Sequence, residues 1–198
     1  MNSGNAPHID IGSRNKCLNR LDEPREEIEQ CKNDNNTDYI EIDKTDFDFA
    51  NNDFTIDFWA YPTAFTGMIM GSWGNRSTSS FAILNSGNKL AFAYSDAQSA
   101  GQTIINTNAL MVLNEWQHIA ITRANDTLYF FINGVLTNAV AFTPTIKTPT
   151  NNVWIGRNYD IGGNPNDRYS GYLDEIRIIN GECMWTESFT PPTEPYQN

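Results

Sequence analysis

The sequence is short of cations, cysteine, histidine and long apolar runs, and each shortage removes a class of function. Thirteen Lys and Arg stand against 24 Asp and Glu, a formal net charge of −11. Nucleic acid and anionic membrane both demand clustered cations, so neither is an expected partner. The three cysteines, Cys17, Cys31 and Cys183, form neither a zinc spacing nor a redox CxxC. They read as thiols, and Cys17 and Cys31 would bridge only in an oxidising compartment. No apolar run approaches the roughly 20 residues of a membrane-spanning helix. The opening MNSGNAPHIDIGSRNK has no hydrophobic segment after its first charges, so no secretory signal is read, and the expected product is cytosolic or released by a route such as lysis. Phosphate-cradling glycine loops and nucleotide fingerprints are absent as well.

Alternating strands are abundant. Residues 116–142, WQHIAITRANDTLYFFINGVLTNAVAF, read as a three-strand meander. Gln117, Ile119, Ile121 and Arg123 point one way, and Trp116, His118, Ala120 and Thr122 the other. Asn125-Asp126 supplies one turn, and Asn133-Gly134 suits a type I′ turn because both residues tolerate positive φ. In FTIDFWAYP, Phe54, Ile56, Phe58 and Ala60 make a core face. Thr55, Asp57, Trp59 and Tyr61 oppose them, either under a second layer or facing a ligand. About a dozen short strands and no βαβ unit predict an all-β, two-sheet antiparallel jelly-roll sandwich over residues 38–198. Residues 1–37 precede it as a polar arm, a short helix over 21–31 (LDEPREEIEQC) and a linker. The prolines of the last segment, GECMWTESFTPPTEPYQN, favour an extended tail packed along the surface.

FTIDFWAYP, EWQHIAITRANDTLYFFINGV, VWIG and SGYLDEIRIINGECMWTESFTPPTEPY occur in this order. They resemble the successive segments of laminin-G-like jelly rolls in the concanavalin A-like lectin/glucanase superfamily. The last block is similar to versions found in bacteriophage structural proteins. The resemblance implies binding of glycans or proteins through loops at the rim of the sandwich, and in some members a calcium ion there. It suggests a non-enzymatic virion structural protein, of capsid-decoration, head-fibre or tail-adhesion type, at the virion surface and in several copies. Residues 1–37 would hold it to other virion proteins. A stand-alone carbohydrate-binding lectin is the alternative.

Trp73, Asn75 and Arg76 in one loop, and Arg157, Tyr159, Asp160, Asn164, Asn166 and Arg168 in another, are the candidate ligand-binding residues. Aromatic faces stack on sugar rings, while Asn, Asp and Arg fork hydrogen bonds to vicinal hydroxyls. Asp57, Trp59 and Tyr61 form a second candidate patch if their sheet face is open. Asp43, Asp46, Asp48 and Asp53 crowd one turn but lack the order of an EF-hand loop. Calcium would require their oxygens to converge at about 2.3–2.6 Å, and solvated turn aspartates are the simpler reading. A glycoside hydrolase needs two carboxylates on one face. Glu41-Ile42-Asp43 resembles the start of the E-I-D-x-E strand of the glucanases, but Thr45 stands where the acid/base would be. His118, beside Trp116 on a strand, reads as a structural residue, so the chain is taken as a non-enzyme that uses no cofactor.

Overall fold

The computed structural model describes residues 8–10, 39–65, 67–74, 77–98, 101–158, 168–194 and 196. The expected helix over 21–31 and both Cys17 and Cys31 lie outside them. Twelve strands form two antiparallel sheets of six. Sheet A runs β1 (His8–Asp10), β12 (Gly171–Asn180), β3 (Phe54–Pro62), β8 (Gln117–Ala124), β9 (Thr127–Ile132) and β10 (Val135–Ala141). Sheet B runs β2 (Ile40–Ile42), β11 (Val153–Ile155), β4 (Met68–Gly71), β5 (Phe81–Ser86), β6 (Lys89–Ser95) and β7 (Gln102–Leu110).

The two-residue period of the strands generates the core between the sheets. Phe54, Ile56, Phe58, Ile119, Ile121, Leu128 and Phe130 of sheet A meet Ile69, Phe81, Ile83, Leu90 and Phe92 of sheet B, all fully buried. Rings bind the layers together, as where Phe49 contacts Phe54 at 4.7 Å and Phe81 at 5.0 Å between centroids. The meander closes through two tight turns. Asn125 and Asp126 have φ of +48° and +58°, and Asn133 and Gly134 of +52° and +73°. Both pairs therefore adopt the left-handed geometry that matches the twist of a hairpin.

Burial along β8 is complete on both faces, although only one of them meets sheet B. The second cover is the C-terminal segment 181–196. It leaves β12 and crosses the outer face of sheet A as an irregular strap. Outward-facing threonines hold its backbone: Thr55 Oγ1 donates to Glu182 O at 2.9 Å and accepts from Met184 N at 2.9 Å, and Thr122 Oγ1 donates to Trp185 O at 2.6 Å. Further along, Phe189 N donates to Gly134 O at 2.9 Å and Leu136 N to Ser188 Oγ at 3.0 Å. The meander's second turn is thus also the strap's docking point. A Cβ on Gly134 would lie 2.0 Å from Phe189 O, so both φ and space require glycine there.

Candidate functional site

Two regions concentrate polar and aromatic chemistry: the face beneath the strap, and one corner of the sandwich rim.

Beneath the strap, Asp57 is completely buried on β3. A bulge in β12 between Asp174 and Arg177 sets Arg177 opposite it. Arg177 Nε donates to Asp57 Oδ1 at 2.9 Å and Nη2 to Oδ2 at 3.0 Å, a bidentate fork. His118 Nε2 lies 3.1 Å from the same Oδ2, and the Tyr196 hydroxyl at the end of the strap also donates to it. The Tyr196 backbone N–H donates to Glu175 Oε2 at 2.9 Å. Burial first, and the Asp57 carboxylate second, push the Tyr196 phenol well above the ordinary tyrosine range. Trp185 and Phe189 stack at 3.8 Å and only 5° apart, and both present edges to His118. Arg177 is capped by the Tyr196 ring at 4.0 Å.

Asp57, His118 and a tyrosine hydroxyl would be the makings of an acid–base centre if a substrate could reach them. Here Asp57 draws both the His118 Nε2 and the Tyr196 hydroxyl to itself, and all three are roofed by the strap. His118 Nδ1 is buried with no partner, which fits a neutral tautomer that carries its proton on Nε2 toward Asp57. The expected second candidate patch is therefore divided. Asp57 belongs to the strap's anchor. Tyr61 remains half-buried at the end of β3, with Trp116 at 5.6 Å and Tyr172 at 5.5 Å between ring centroids. Trp116 and Tyr172 were not singled out by sequence reasoning, because each sits within an alternating strand pattern that already explained it.

The candidate rim residues separate in space. Trp73 packs on a small cluster of Met68, Ala82, Ala93 and Leu84, apart from the main core. Its neighbour Ser72 donates from Oγ to Asn151 O at 2.9 Å. Arg157 and Arg168 lie past the other end of the same strands. They face one another in an antiparallel bridge, and Gly67 lies so close that a Cβ on it would fall 1.6 Å from Arg168 O. Trp73 lies six steps along β4 and its flanks from Gly67, roughly 20 Å at about 3.3 Å per residue. These are opposite rims. Asn75, Arg76, Tyr159, Asp160, Asn164 and Asn166 lie outside the described residues.

At the corner beside Arg157, Tyr39 precedes β2 and is exposed. The Arg157 guanidinium stacks on its ring, with Cζ 3.7 Å from the centroid. Arg168 leads directly into β12, which opens with Gly171 opposite Pro62, and Thr63 N donates to Ser170 O. Tyr39, Arg157 and Arg168 thus lie at the same end of the molecule as Tyr61, Trp116 and Tyr172. They form two clusters there, one around the Arg157–Tyr39 stack beside sheet B and one around Tyr61 on sheet A.

The acidic turn resolves into caps. Asp43 accepts from Thr45 N at 2.9 Å and Thr45 Oγ1 at 2.7 Å, opening a 3-10 turn over Lys44–Phe47. The hydroxyl hydrogen bond, then the amide one, lower its pKa. Asp48 accepts from Thr148 Oγ1 at 2.9 Å, and Glu41 from Asn152 Nδ2 at 2.7 Å. Glu41 and Asp43, which open the glucanase-like motif, are thus occupied by structural hydrogen bonds. Among the described residues no group of three His, Cys, Asp or Glu is placed to hold a metal ion.

Comparison with known proteins supplies the family. Three solved structures share the fold at low identity. The carbohydrate-binding module CBM40 of the Ruminococcus gnavus IT-sialidase, solved with α2,3-sialyllactose, aligns with a TM-score of 0.56 at 13% identity, over 75% of this chain and 92% of that one. A candidate carbohydrate-binding protein of Bacteroides ovatus aligns at 0.54 and 18%, over 77% of this chain and 42% of that one. Domains LG4-5 of the mouse laminin α1 chain align at 0.51 and 14%, over 67% and 36%. This chain thus spans well under half of the laminin and Bacteroides chains. No curated protein sequence matches it. The laminin G type profile of the concanavalin A-like lectin/glucanases superfamily matches residues 34–187, which covers most of the two sheets and the start of the strap, and the chain belongs to that superfamily.

Proposed function

We propose that the protein is a non-catalytic binding module that recognises glycan at the rim corner formed by Tyr39, Arg157, Arg168, Tyr61, Trp116 and Tyr172. One observation carries this reading. The face holding the acid–base residues is sealed by the chain's own C-terminal strap, whereas the corner leaves aromatic rings and guanidinium groups half-buried or exposed. Rings at 5.5–5.6 Å spacing offer a platform for sugar faces, and arginine forks bind hydroxyl pairs. A sialyllactose-bound module and a candidate carbohydrate-binding protein among its relatives in fold support the same reading. A glycan array probed with the intact protein tests it. Binding that is lost in Tyr61→Ala or Trp116→Ala and kept in Trp73→Ala supports the corner, and an array with no signal would reject it.

The finer reading is display on a virus particle, in several copies, with residues 1–37 as the attachment segment to other virion proteins. The resemblance of the last block to bacteriophage structural proteins supports it. Co-purification with particle proteins that disappears on deletion of residues 1–37 is the expected result. A truncated chain that still purifies with the particle would remove this reading and leave the binding module intact. A stand-alone lectin predicts the array result without any particle partner.

A further inference from the structure

Four arginines fall within the described residues, and they divide into two pairs. Arg177 is forked onto Asp57. Arg123, buried at the end of β8, donates to Ala50 O at 3.1 Å and lies 3.6 Å from Asp126. Both are thereby neutralised or solvated by the protein. Arg157 and Arg168 are not: among the described residues neither side chain has a hydrogen-bond acceptor or a carboxylate partner. Arg157 Nε is buried with nothing to donate to. Glu41, two residues along from Tyr39 on the same strand face, accepts from Asn152 instead.

This arrangement is unfavourable for folding alone. Directly opposed residues of an antiparallel bridge carry their side chains to the same side, so the Arg157–Arg168 bridge sets two like charges against each other. Among the described residues no acidic side chain neutralises them. The stack on Tyr39 holds the Arg157 plane by its face, which leaves the in-plane N–H fork for another group. Gly67 supports Arg168 from behind, its missing Cβ admitting the Arg168 carbonyl. The cations are positioned without being neutralised, as an anion subsite requires.

We infer that Arg157 and Arg168, with Tyr39 as the stacking support, form an oxyanion subsite, and that the glycan bound at this corner is acidic, carrying a carboxylate or a sulfate ester. The inference rests on the glycan-binding reading and adds the chemical class. It also runs against the net charge of −11, which on its own would disfavour anionic ligands; a local pair of uncompensated guanidinium groups reverses the sign at one place on the surface.

The test uses oligosaccharides in matched pairs, measured by titration calorimetry on the intact protein. Uronate- and sialate-bearing members are set beside their methyl esters, and sulfated members beside their desulfated forms. At least one acidic member should bind about tenfold or more tightly than its neutral counterpart, the order expected when a charge-assisted fork is added. Arg157→Gln and Arg168→Gln should each bring the acidic member down toward the neutral one without lowering the melting temperature. Lys147→Gln, which removes a positive charge that donates to Ser77 O near the Trp73 loop at the opposite rim, should leave the ratio unchanged. The carboxylate and sulfate arms distinguish the two sources of the oxyanion. Equal affinity for acidic and neutral partners, or acidic binding that survives both arginine substitutions, would overturn the subsite while the glycan-binding reading stands. A panel with no binding at all would remove both.

Discussion

The strap-covered face of sheet A and the rim corner beside β2 hold similar residues put to different ends. Each places arginine on an aromatic ring: Arg177 with Tyr196 at 4.0 Å, and Arg157 with Tyr39 at 3.7 Å. Beneath the strap the guanidinium is also forked onto a buried carboxylate, and that carboxylate takes a third and fourth donor from His118 and Tyr196. At the corner the stack is present and no carboxylate among the described residues joins it. A saturated network specifies one packing, because every member loses a partner if the strap moves. A stacked but unpaired guanidinium is held in place and still has hydrogen bonds to give. On the proposed function, pairing rather than residue type separates scaffold from site.

The comparison breaks most visibly at Asp57. Asp57→Ala strips the partner from a buried arginine, and removing one member of such a pair costs about 3–5 kcal/mol. Chemical denaturation should show a loss of that size, with surviving folded protein still able to bind at the corner. Gly134→Ala should follow at about 1–3 kcal/mol, since its φ of +73° and the 2.0 Å approach of Phe189 O both oppose a side chain. Limited proteolysis should then cut within 181–196 before it cuts the sheets.

Tyr196 gives a smaller effect with a defined pH sign. Its folded pKa is raised above the unfolded value of about 10, so its contribution is fully present below pH about 10 and is lost as pH rises past that value. Denaturation midpoints of the wild type should fall above pH about 10. Those of Tyr196→Phe should start lower by about 1 kcal/mol, the worth of one hydrogen bond, and show less of this fall. Smallest in stability is Tyr39→Ala, expected within about 0.5 kcal/mol because the residue is exposed. It should nonetheless weaken binding of an acidic glycan by letting the Arg157 plane rotate.

The fold was legible in the sequence wherever a strand showed its period. The turns Asn125-Asp126 and Asn133-Gly134 fall where the residues that tolerate positive φ fall, and Phe54, Ile56 and Phe58 face the core as their alternation requires. The outer residues of the same strand remained ambiguous, since Thr55, Asp57 and Trp59 suit either a covered layer or an open face. The answer lies about 130 residues away in the chain, where Glu182, Trp185 and Tyr196 supply the cover. Alternation reports that a face is lined but not what lines it.

The site was legible in kind and not in place. Trp73 and Arg157 both belong to polar loops, and a linear reading does not say how those loops lie relative to one another; antiparallel pairing of β4 with β11 sends them to opposite ends. Tyr39 and Tyr172 drew no attention because each precedes or opens a strand and looks like ordinary β-sheet composition. That Arg157 and Arg168 lack carboxylate partners among the described residues is a property of contacts, and no spacing in the sequence encodes it.

The central claim is that the unpaired arginines, one of them stacked on Tyr39, mark the binding corner while the paired ones hold the fold. The most direct test is the double substitution Arg157→Gln/Arg168→Gln, with melting temperature and affinity for an acidic oligosaccharide measured on the same preparation. The account predicts an unchanged melting temperature and an affinity lower by at least about tenfold. A fall in melting temperature with undiminished affinity would contradict it, and would make these two arginines scaffold like Arg123 and Arg177.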